Sequence, residues 1–477
     1  MKVCLLNDSF PPVIDGVVNV VMNYADYLRR DHGAEIAVAT PRYPNTDYSQ
    51  YPYTVVPYPS LDVTAITSGY RAGVPFAEKE IAALSAFAPD ILHAHCPASA
   101  LVLARILRER TGAPIVFTYH TKYDIDIARA VKSRLVAHEG VRAMVSNIES
   151  CDDVWVVSRG AGESLRALGF QGDYRVANNG VDFERGRVDA QTVAKVTADY
   201  DLPNGVPVFL FVGRLMTYKG LPLILDALRQ LNDDGVDFRM VFVGKGADRE
   251  LLENTARSYG LMGGEGPDKV IFTGAVYDRD VLRAWNTRAD LFLFPSTFDT
   301  NGLVVREAAA CGLASVLIEG SCAAEGITDG RNGFTIEQTP EAMAALLREA
   351  VKDLSHLREV GQNAMDEIYL SWRSCVADAY ERYQIVLEEK KRAALPRRKK
   401  ELSDYLVALT ARSMGEQEKL RQIRRELFDD FKETAVGMME NFQEPAGLER
   451  LWHSMSENLQ EGLDARRSGE DPGRGEN

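Results

Sequence analysis

The chain has 477 residues, 45 % of them hydrophobic and 26 % charged, with a formal net charge of −14 at pH 7. This length allows two or three domains, since a single core rarely grows past about 250 residues, and the composition is that of a soluble globular protein. The acidic balance argues against nucleic acid as the main partner, because neutralising phosphates takes an excess of Lys and Arg.

The first residues, Met1 to Asn7, form only a short apolar run, without the longer apolar region and cleavage site of a signal peptide. No stretch approaches the roughly 20 apolar residues that span a bilayer. Six cysteines lie far apart with no Cys-x-x-Cys pair. That pattern indicates neither a zinc site nor a disulfide framework and fits reduced, mostly buried thiols. The expected location is cytoplasmic.

In chain order the predicted strands are 2–7, 35–39, 91–95, 114–119, 153–157 and 174–177, with helices between them such as 17–30 and 98–110. A second series has strands 207–212, 238–243, 269–273, 290–294 and 314–318, and helices near 219–231, 247–258, 278–287 and 303–311. Short runs rich in Val, Ile, Leu and Phe are what a parallel sheet covered on both faces requires. The expectation is an α/β protein of two Rossmann-like, doubly wound domains facing a cleft, with a helical C-terminal tail. The first domain is placed at 1–200 and the second at 201–367. A long helix at 368–389 leaves the second domain, and a basic hinge and helical tail occupy 390–477, with a polar end expected to be disordered.

Three loops that follow strands carry the candidate chemistry. Asp8 to Val18 places Gly16 at the start of a helix, where a glycine lets backbone approach a phosphate. Taken alone, a turn glycine without a ligand is the simpler reading, since one glycine is a weak signal. In Val212-Gly213-Arg214-Leu215-Met216-Thr217-Tyr218-Lys219-Gly220, Arg214 and Lys219 sit at a strand end beside a helix N-terminus. There they can take the charge that builds on a departing diphosphate; the alternative is a solvated basic pair. In Phe294 to Ala308, free N–H groups at Asn301, Gly302 and Leu303 can hold a phosphate at a helix start. Asp299 and Glu307 can accept hydrogen bonds from two parts of one ligand, or serve as a helix cap and a solvated charge.

Residues 213–220 and Asp299-x7-Glu307 together resemble the retaining glycosyltransferases of GT-B fold, the large family that includes phosphatidylinositol mannosyltransferases, sucrose synthases and bacterial glycolipid synthases. The family's Gly-Arg-Leu-x-x-x-Lys-Gly matches 213–220, and its Glu-x7-Glu aligns with an Asp in the first place here. The resemblance spans roughly residues 1–389 and is more specific in the second domain. It implies that Arg214 and Lys219 bind the diphosphate, Glu307 the ribose and Asp299 the donor sugar, with the Gly16 loop close to the phosphates. It also implies front-face transfer with retention.

His120, in Phe117-Thr118-Tyr119-His120-Thr121-Lys122-Tyr123, is similar to a family histidine beside the donor sugar and leaving phosphate. Lys122 is a weaker candidate for an acceptor-side contact. His93 and His95 lie two apart on one strand face and are read as packing or hydrogen bonding rather than as metal ligands. Asp124-Ile125-Asp126 has the letters of a metal-binding motif in a different context. With Arg214, Lys219 and helix N-termini supplying positive charge, no metal and no cofactor is expected; the nucleotide-diphosphate sugar is a substrate, UDP-glucose first.

The loops around residues 7–18 and 119–123 more loosely resemble bacterial diacylglycerol glucosyltransferases. The basic cluster of Lys390, Lys391, Arg392, Arg397, Arg398, Lys399 and Lys400 fits attachment to an anionic membrane surface, and equally a solvated hinge. The expected acceptor is therefore a lipid such as diacylglycerol or a carbohydrate, and the expected location extends to the inner face of the membrane. In the tail, Leu420, Ile423, Leu427 and Phe431 recur at helical spacing. A transferase acting on a soluble sugar or polysaccharide, a nucleotide-sugar 2-epimerase and a nucleotide-sugar-binding scaffold stand as alternatives. The sequence assigns no oligomeric state.

Overall fold

Two parallel sheets, each wound in both directions from its first strand, carry the chain in a computed structural model. The model describes residues 1–64, 69–121, 134–264, 266–393, 395, 407 and 410–411. Lys122, the Asp124-Ile125-Asp126 run, residues 397–400 of the basic cluster and the apolar tail pattern lie outside the described residues. Residues 1–399 form one compact unit and residues 400–477 another.

The first sheet is built from β1 (Lys2–Leu6), β2 (Glu35–Pro41), β3 (Thr54–Tyr58), β6 (Ile91–Ala94), β7 (Ile115–Tyr119), β8 (Asp153–Val156) and β9 (Arg175–Val176), between which β4 (Ser60–Asp62) and β5 (Arg71–Gly73) form a small antiparallel pair. Its order is β3-β2-β1-β6-β7-β8-β9. The second sheet has β10 (Val208–Val212), β11 (Arg239–Val243), β12 (Val270–Gly274), β13 (Leu291–Phe294), β14 (Ser315–Ile318) and β15 (Phe334–Ile336) in the order β12-β11-β10-β13-β14-β15. In both, the order reverses beside the first strand, and the crevice outside the strands' carboxyl ends at such a switch point is where open α/β sheets bind ligands. The architecture is the one the sequence leads one to expect.

The sequence reading passes over β3, β4, β5 and β15. The last three are only three residues long. Pro57 interrupts the apolar run of β3, and proline is tolerated there because β3 is the edge of its sheet. The helix expected from residue 219 begins at Leu221, after a short 3₁₀ turn over Thr217–Lys219.

The second core is aromatic and aliphatic: Phe209, Phe211, Phe242, Phe292 and Phe294 from the strands are all essentially inaccessible. The first core is completed from far along the chain. The helix Trp372–Lys391, started by the Ser371 hydroxyl accepting from the Ser374 N–H at 3.2 Å, packs on the helix Gly16–His32. It buries Trp372, Val376, Tyr383 and Val386 among Val3, Tyr24, Ile91 and Trp155. Tyr383 stacks on Trp155 with ring centroids 5.6 Å apart. The chain thus crosses between the domains twice, and the crossings touch: the Val181 N–H donates to the Leu370 carbonyl at 2.9 Å, and Val181 forms a parallel bridge with Ser371. Among the described residues no helix is long and apolar enough to cross a membrane, and the six cysteines form no disulfide, five of them being buried.

Candidate functional site

Every loop singled out in the sequence leaves the carboxyl end of a strand near one of the two switch points. After β1, Asp15 starts the helix Gly16–His32: one carboxylate oxygen accepts from the N–H groups of Val17 and Val18, each at 2.8 Å. The other accepts from the Tyr70 hydroxyl at 2.7 Å and from Ser9 at 3.2 Å. Such a cap stabilises a helix by about 1 kcal/mol. Gly16 follows, and a Cβ built there meets nothing within 4 Å. Packing therefore does not require glycine; open space lies in front of it.

After β10, the chain turns through Gly213, Arg214 and Leu215 into the 3₁₀ turn. Arg214 is exposed, whereas Lys219 is only 7 % exposed. The Lys219 ammonium lies 2.5 and 2.7 Å from the two carboxylate oxygens of Asp299, which also accepts from the Ser296 hydroxyl at 2.5 Å. Asp299 thus caps no helix here. The loop after β11 braces this turn: the Leu215 N–H donates to the Lys245 carbonyl at 3.0 Å, and Asp248 accepts from the Thr217 N–H at 2.6 Å. Gly244 is held at φ 153°, where a Cβ would come within 1.8 Å of the Gly213 carbonyl oxygen. That second loop is absent from the sequence reading, although Val243-Gly244-Lys245-Gly246 directly after a strand is the signal that identifies it.

After β13, Gly302 takes φ 60° to start the helix Leu303–Ala310, and a Cβ there would lie 2.9 Å from that of Ala323. The backbone N–H groups of Asn301, Gly302 and Leu303 find no protein acceptor among the described residues. Unsatisfied N–H groups at a helix start, with the dipole behind them, attract an anion. One turn into that helix, Glu307 meets Arg279 at 3.1 Å, its side chain 13 % exposed. Burial pushes its carboxyl up to about 7; the half-exposed Arg279 guanidinium offsets only part of this, and Asp182 adds to it.

The first domain meets this loop directly. The Thr300 hydroxyl donates to the His120 carbonyl at 2.5 Å, and the Asn301 amide donates to the Val157 carbonyl at 2.7 Å. From the second domain Glu325 also reaches across, accepting from the N–H groups of Arg159 and Gly160 at 2.8 and 2.6 Å. His120 is 6 % exposed, and burial drives its imidazole down to about 3, so it is neutral at ordinary pH. Lys219, Asp299, Asn301, Gly302, Leu303 and His120 are thus gathered around the Pro295–Gly302 loop. Glu307 lies one helical turn further on and Arg214 on the adjoining loop after β10, while Gly16 opens its helix in the first domain, with no contact to this group among the described residues. Ser296 joins the group unannounced by the sequence. In the first domain, an open cavity at the ends of β2 and β3 is lined by Arg42, Tyr43, Asn45, Tyr48, Ser60 and Arg71.

Two comparisons of sequence agree with this arrangement. Residues 194–367 match the model of Glycosyl transferases group 1, and residues 14–185 match that of Glycosyltransferase Family 4. The chain belongs to this glycosyltransferase family, in its two-domain GT-B form.

It is 27 % identical over 358 residues to the GDP-mannose-dependent alpha-mannosyltransferase of Mycobacterium tuberculosis, covering 73 % of this chain and 89 % of that protein. It is 22 % identical over 395 residues to the Alpha-monoglucosyldiacylglycerol synthase of Acholeplasma laidlawii, covering 78 % of this chain and 97 % of that one. A crystal structure of Anabaena HepE in complex with UDP superposes with a TM-score of 0.64 at 18 % identity, covering 81 % of this chain and 100 % of that chain, a likeness of fold.

Proposed function

We propose that this glycosyltransferase transfers a hexose from a nucleotide-diphosphate sugar, UDP-glucose first, to the hydroxyl of a lipid such as diacylglycerol, with retention of configuration and without a metal ion. The observation that carries the reading is the convergence on the Pro295–Gly302 loop of a buried lysine, its paired aspartate, unsatisfied backbone donors and a neutral histidine from the facing domain.

In this reading the diphosphate lies across the N–H groups of Asn301, Gly302 and Leu303 and takes Lys219 and Arg214 as counter-charges, with Gly16 leaving room on the opposite wall. Donors fixed before the reaction stabilise the charge that develops on a leaving group without reorganising. Glu307 accepts from the ribose hydroxyls. Asp299 accepts from the sugar, and His120 flanks the sugar and leaving oxygen. The bond from the anomeric carbon to the diphosphate oxygen breaks, the acceptor oxygen bonds to the same face, and its proton passes to the departing phosphate. The cavity beside Arg42 and Arg71 is the acceptor side, and Lys122, outside the described residues, stands as a weaker acceptor-side candidate.

A lipid acceptor is favoured by the name of the Acholeplasma relative and by Lys390, Lys391 and Arg392 at the end of the last described helix. With Arg397, Arg398, Lys399 and Lys400 they make a cluster able to hold an anionic cytoplasmic membrane face at about 1 kcal/mol per residue. The Mycobacterium relative's name makes GDP-mannose the second donor to try.

Nucleotide release from a panel of UDP- and GDP-sugars, with and without diacylglycerol vesicles and with simple sugars, tests the proposal. Vesicle-dependent release from UDP-glucose is expected. Release that ignores vesicles and follows a soluble sugar overturns the lipid acceptor.

A further inference from the structure

Behind His120 lie two more histidines that the proposed reaction does not use. His93 is in β6 and His95 directly follows it; both rings are fully buried. His93 is satisfied at both ring nitrogens, Nδ1 lying 2.5 Å from the Tyr383 hydroxyl and Nε2 2.7 Å from the Thr118 hydroxyl. His95 is not. Its Nδ1 lies 3.1 Å from His120 Nε2, the two rings nearly parallel at 24°, while its own Nε2 is buried without a hydrogen-bond partner among the described residues. Among the described residues the His93 ring, 4.0 Å away, and the Tyr24 ring, edge-on at 5.5 Å, also pack against it.

These contacts fix a proton count. Burial depresses all three imidazoles, so each is neutral and holds a single proton. One proton lies between His95 Nδ1 and His120 Nε2. If His120 supplies it, the proton of His95 must sit on Nε2, leaving a fully buried N–H with no acceptor. If His95 supplies it, only an unprotonated nitrogen is left over. Orphaned buried N–H groups are the rarer of the two outcomes in folded proteins. The second arrangement also leaves the proton of His120 on Nδ1, the ring nitrogen not engaged by His95.

We infer that His95 donates to His120 Nε2 and thereby locks His120 as the Nδ1–H tautomer, so that a neutral imidazole N–H is what the site offers to the departing phosphate. The inference rests on the proposed role of His120. His95 touches no substrate; it is a positioning residue. A neutral N–H donor suits this leaving group, since it stabilises the developing negative charge without giving up a proton that the acceptor must supply.

The test is nitrogen NMR of the full chain labelled at histidine, with the His120 signals assigned by their loss in His120→Asn. The native chain is expected to show the Nδ1–H pattern for His120, unchanged across neutral pH. In His95→Phe, which keeps a ring but has no donor, the pattern is expected to move toward Nε2–H. Turnover there should fall about tenfold, the scale of one lost neutral hydrogen bond, while KM for the donor sugar stays within about twofold. His95→Asn, whose amide can donate from near the Nδ1 position, should recover most of the loss.

An Nε2–H pattern for His120 in the native chain overturns the inference, as does His95→Phe with unaltered tautomer and turnover. If His95→Phe fails to fold, the native spectrum and His95→Asn decide. Full turnover in His120→Asn would instead remove the catalytic reading of His120 while leaving the tautomer result to stand by itself.

Discussion

The Lys219 ammonium sits 2.5 and 2.7 Å from the two oxygens of the Asp299 carboxylate, a lysine assigned to the diphosphate neutralised by the acid assigned to the sugar. In the proposed binding mode the diphosphate and Asp299 both call on the Lys219 ammonium. The diphosphate must therefore compete with Asp299, and the pair makes affinity and turnover separable. Lys219→Ala should lower turnover by about 10²–10³-fold, the scale of removing one charge-stabilising group, while circular dichroism still reports a folded chain. Asp299→Asn frees the lysine and should bind UDP roughly tenfold more tightly, equivalent to about 1.4 kcal/mol, yet turn over more slowly. Calorimetric titration with UDP checks this, and weaker UDP binding by Asp299→Asn counts against the competition.

Glu307 supplies a pH signature. Its carboxyl titrates near 7 in the folded protein, against an ordinary value of 4.5. The folded chain therefore holds this proton more firmly than the unfolded chain. The associated stability is complete below the unfolded value and is lost as pH rises through about 7. Glu307→Gln cannot titrate. Relative to that variant, the native chain should lose on the order of 2–3 kcal/mol between about pH 5 and pH 8, seen as a widening gap in melting temperature. A constant gap would mean that Glu307 keeps an ordinary carboxyl.

Gly16 distinguishes a packing glycine from one that leaves space for a ligand. Because a side chain there meets only open space, Gly16→Val should fold with a melting temperature within a few degrees of the native one. If a phosphate lies in front of it, KM for the donor should rise about tenfold. Unchanged kinetics would return Gly16 to the status of a turn residue.

The proposed absence of a metal requirement has a direct check. In the proposed site Arg214, the N–H groups of Asn301 to Leu303 and Lys219, once it exchanges Asp299 for the diphosphate, supply the positive charge that a metal would otherwise bring. Turnover in the presence of a chelator should stay within about twofold of the untreated enzyme. Abolition by the chelator and restoration by magnesium would contradict the proposal.

What could be read in the sequence follows a physical divide. Strands buried on both faces announce themselves as apolar runs, so β1, β6, β7, β10, β11, β13 and β14 are visible without coordinates. The edge strand β3, with Pro57 inside it, has no such run. Loops that directly follow strands point to the site, which is how Arg214, Lys219 and Asp299 are found. The partner of each charge is invisible, because Lys219 and Asp299 are separated by 80 residues and Glu307 finds Arg279 on another helix. His95 reads as a packing or hydrogen-bonding residue and is both, but its partner is invisible in the sequence, because only the fold brings β7 and His120 beside it.

The double crossing between the domains constrains how this molecule can be divided and how it can move. Since Trp372 and Tyr383 complete the core that holds Tyr24 and Trp155, a fragment ending at residue 200 would expose a wide apolar trough in place of the last helix. The first domain is thus a discontinuous folding unit, finished only once the chain has passed through the second. Any parting of the domains must break the bonds from Thr300 to His120, from Asn301 to Val157 and from Arg159 and Gly160 to Glu325, while the crossings at Val181 and Leu370 are joined by a bond of their own.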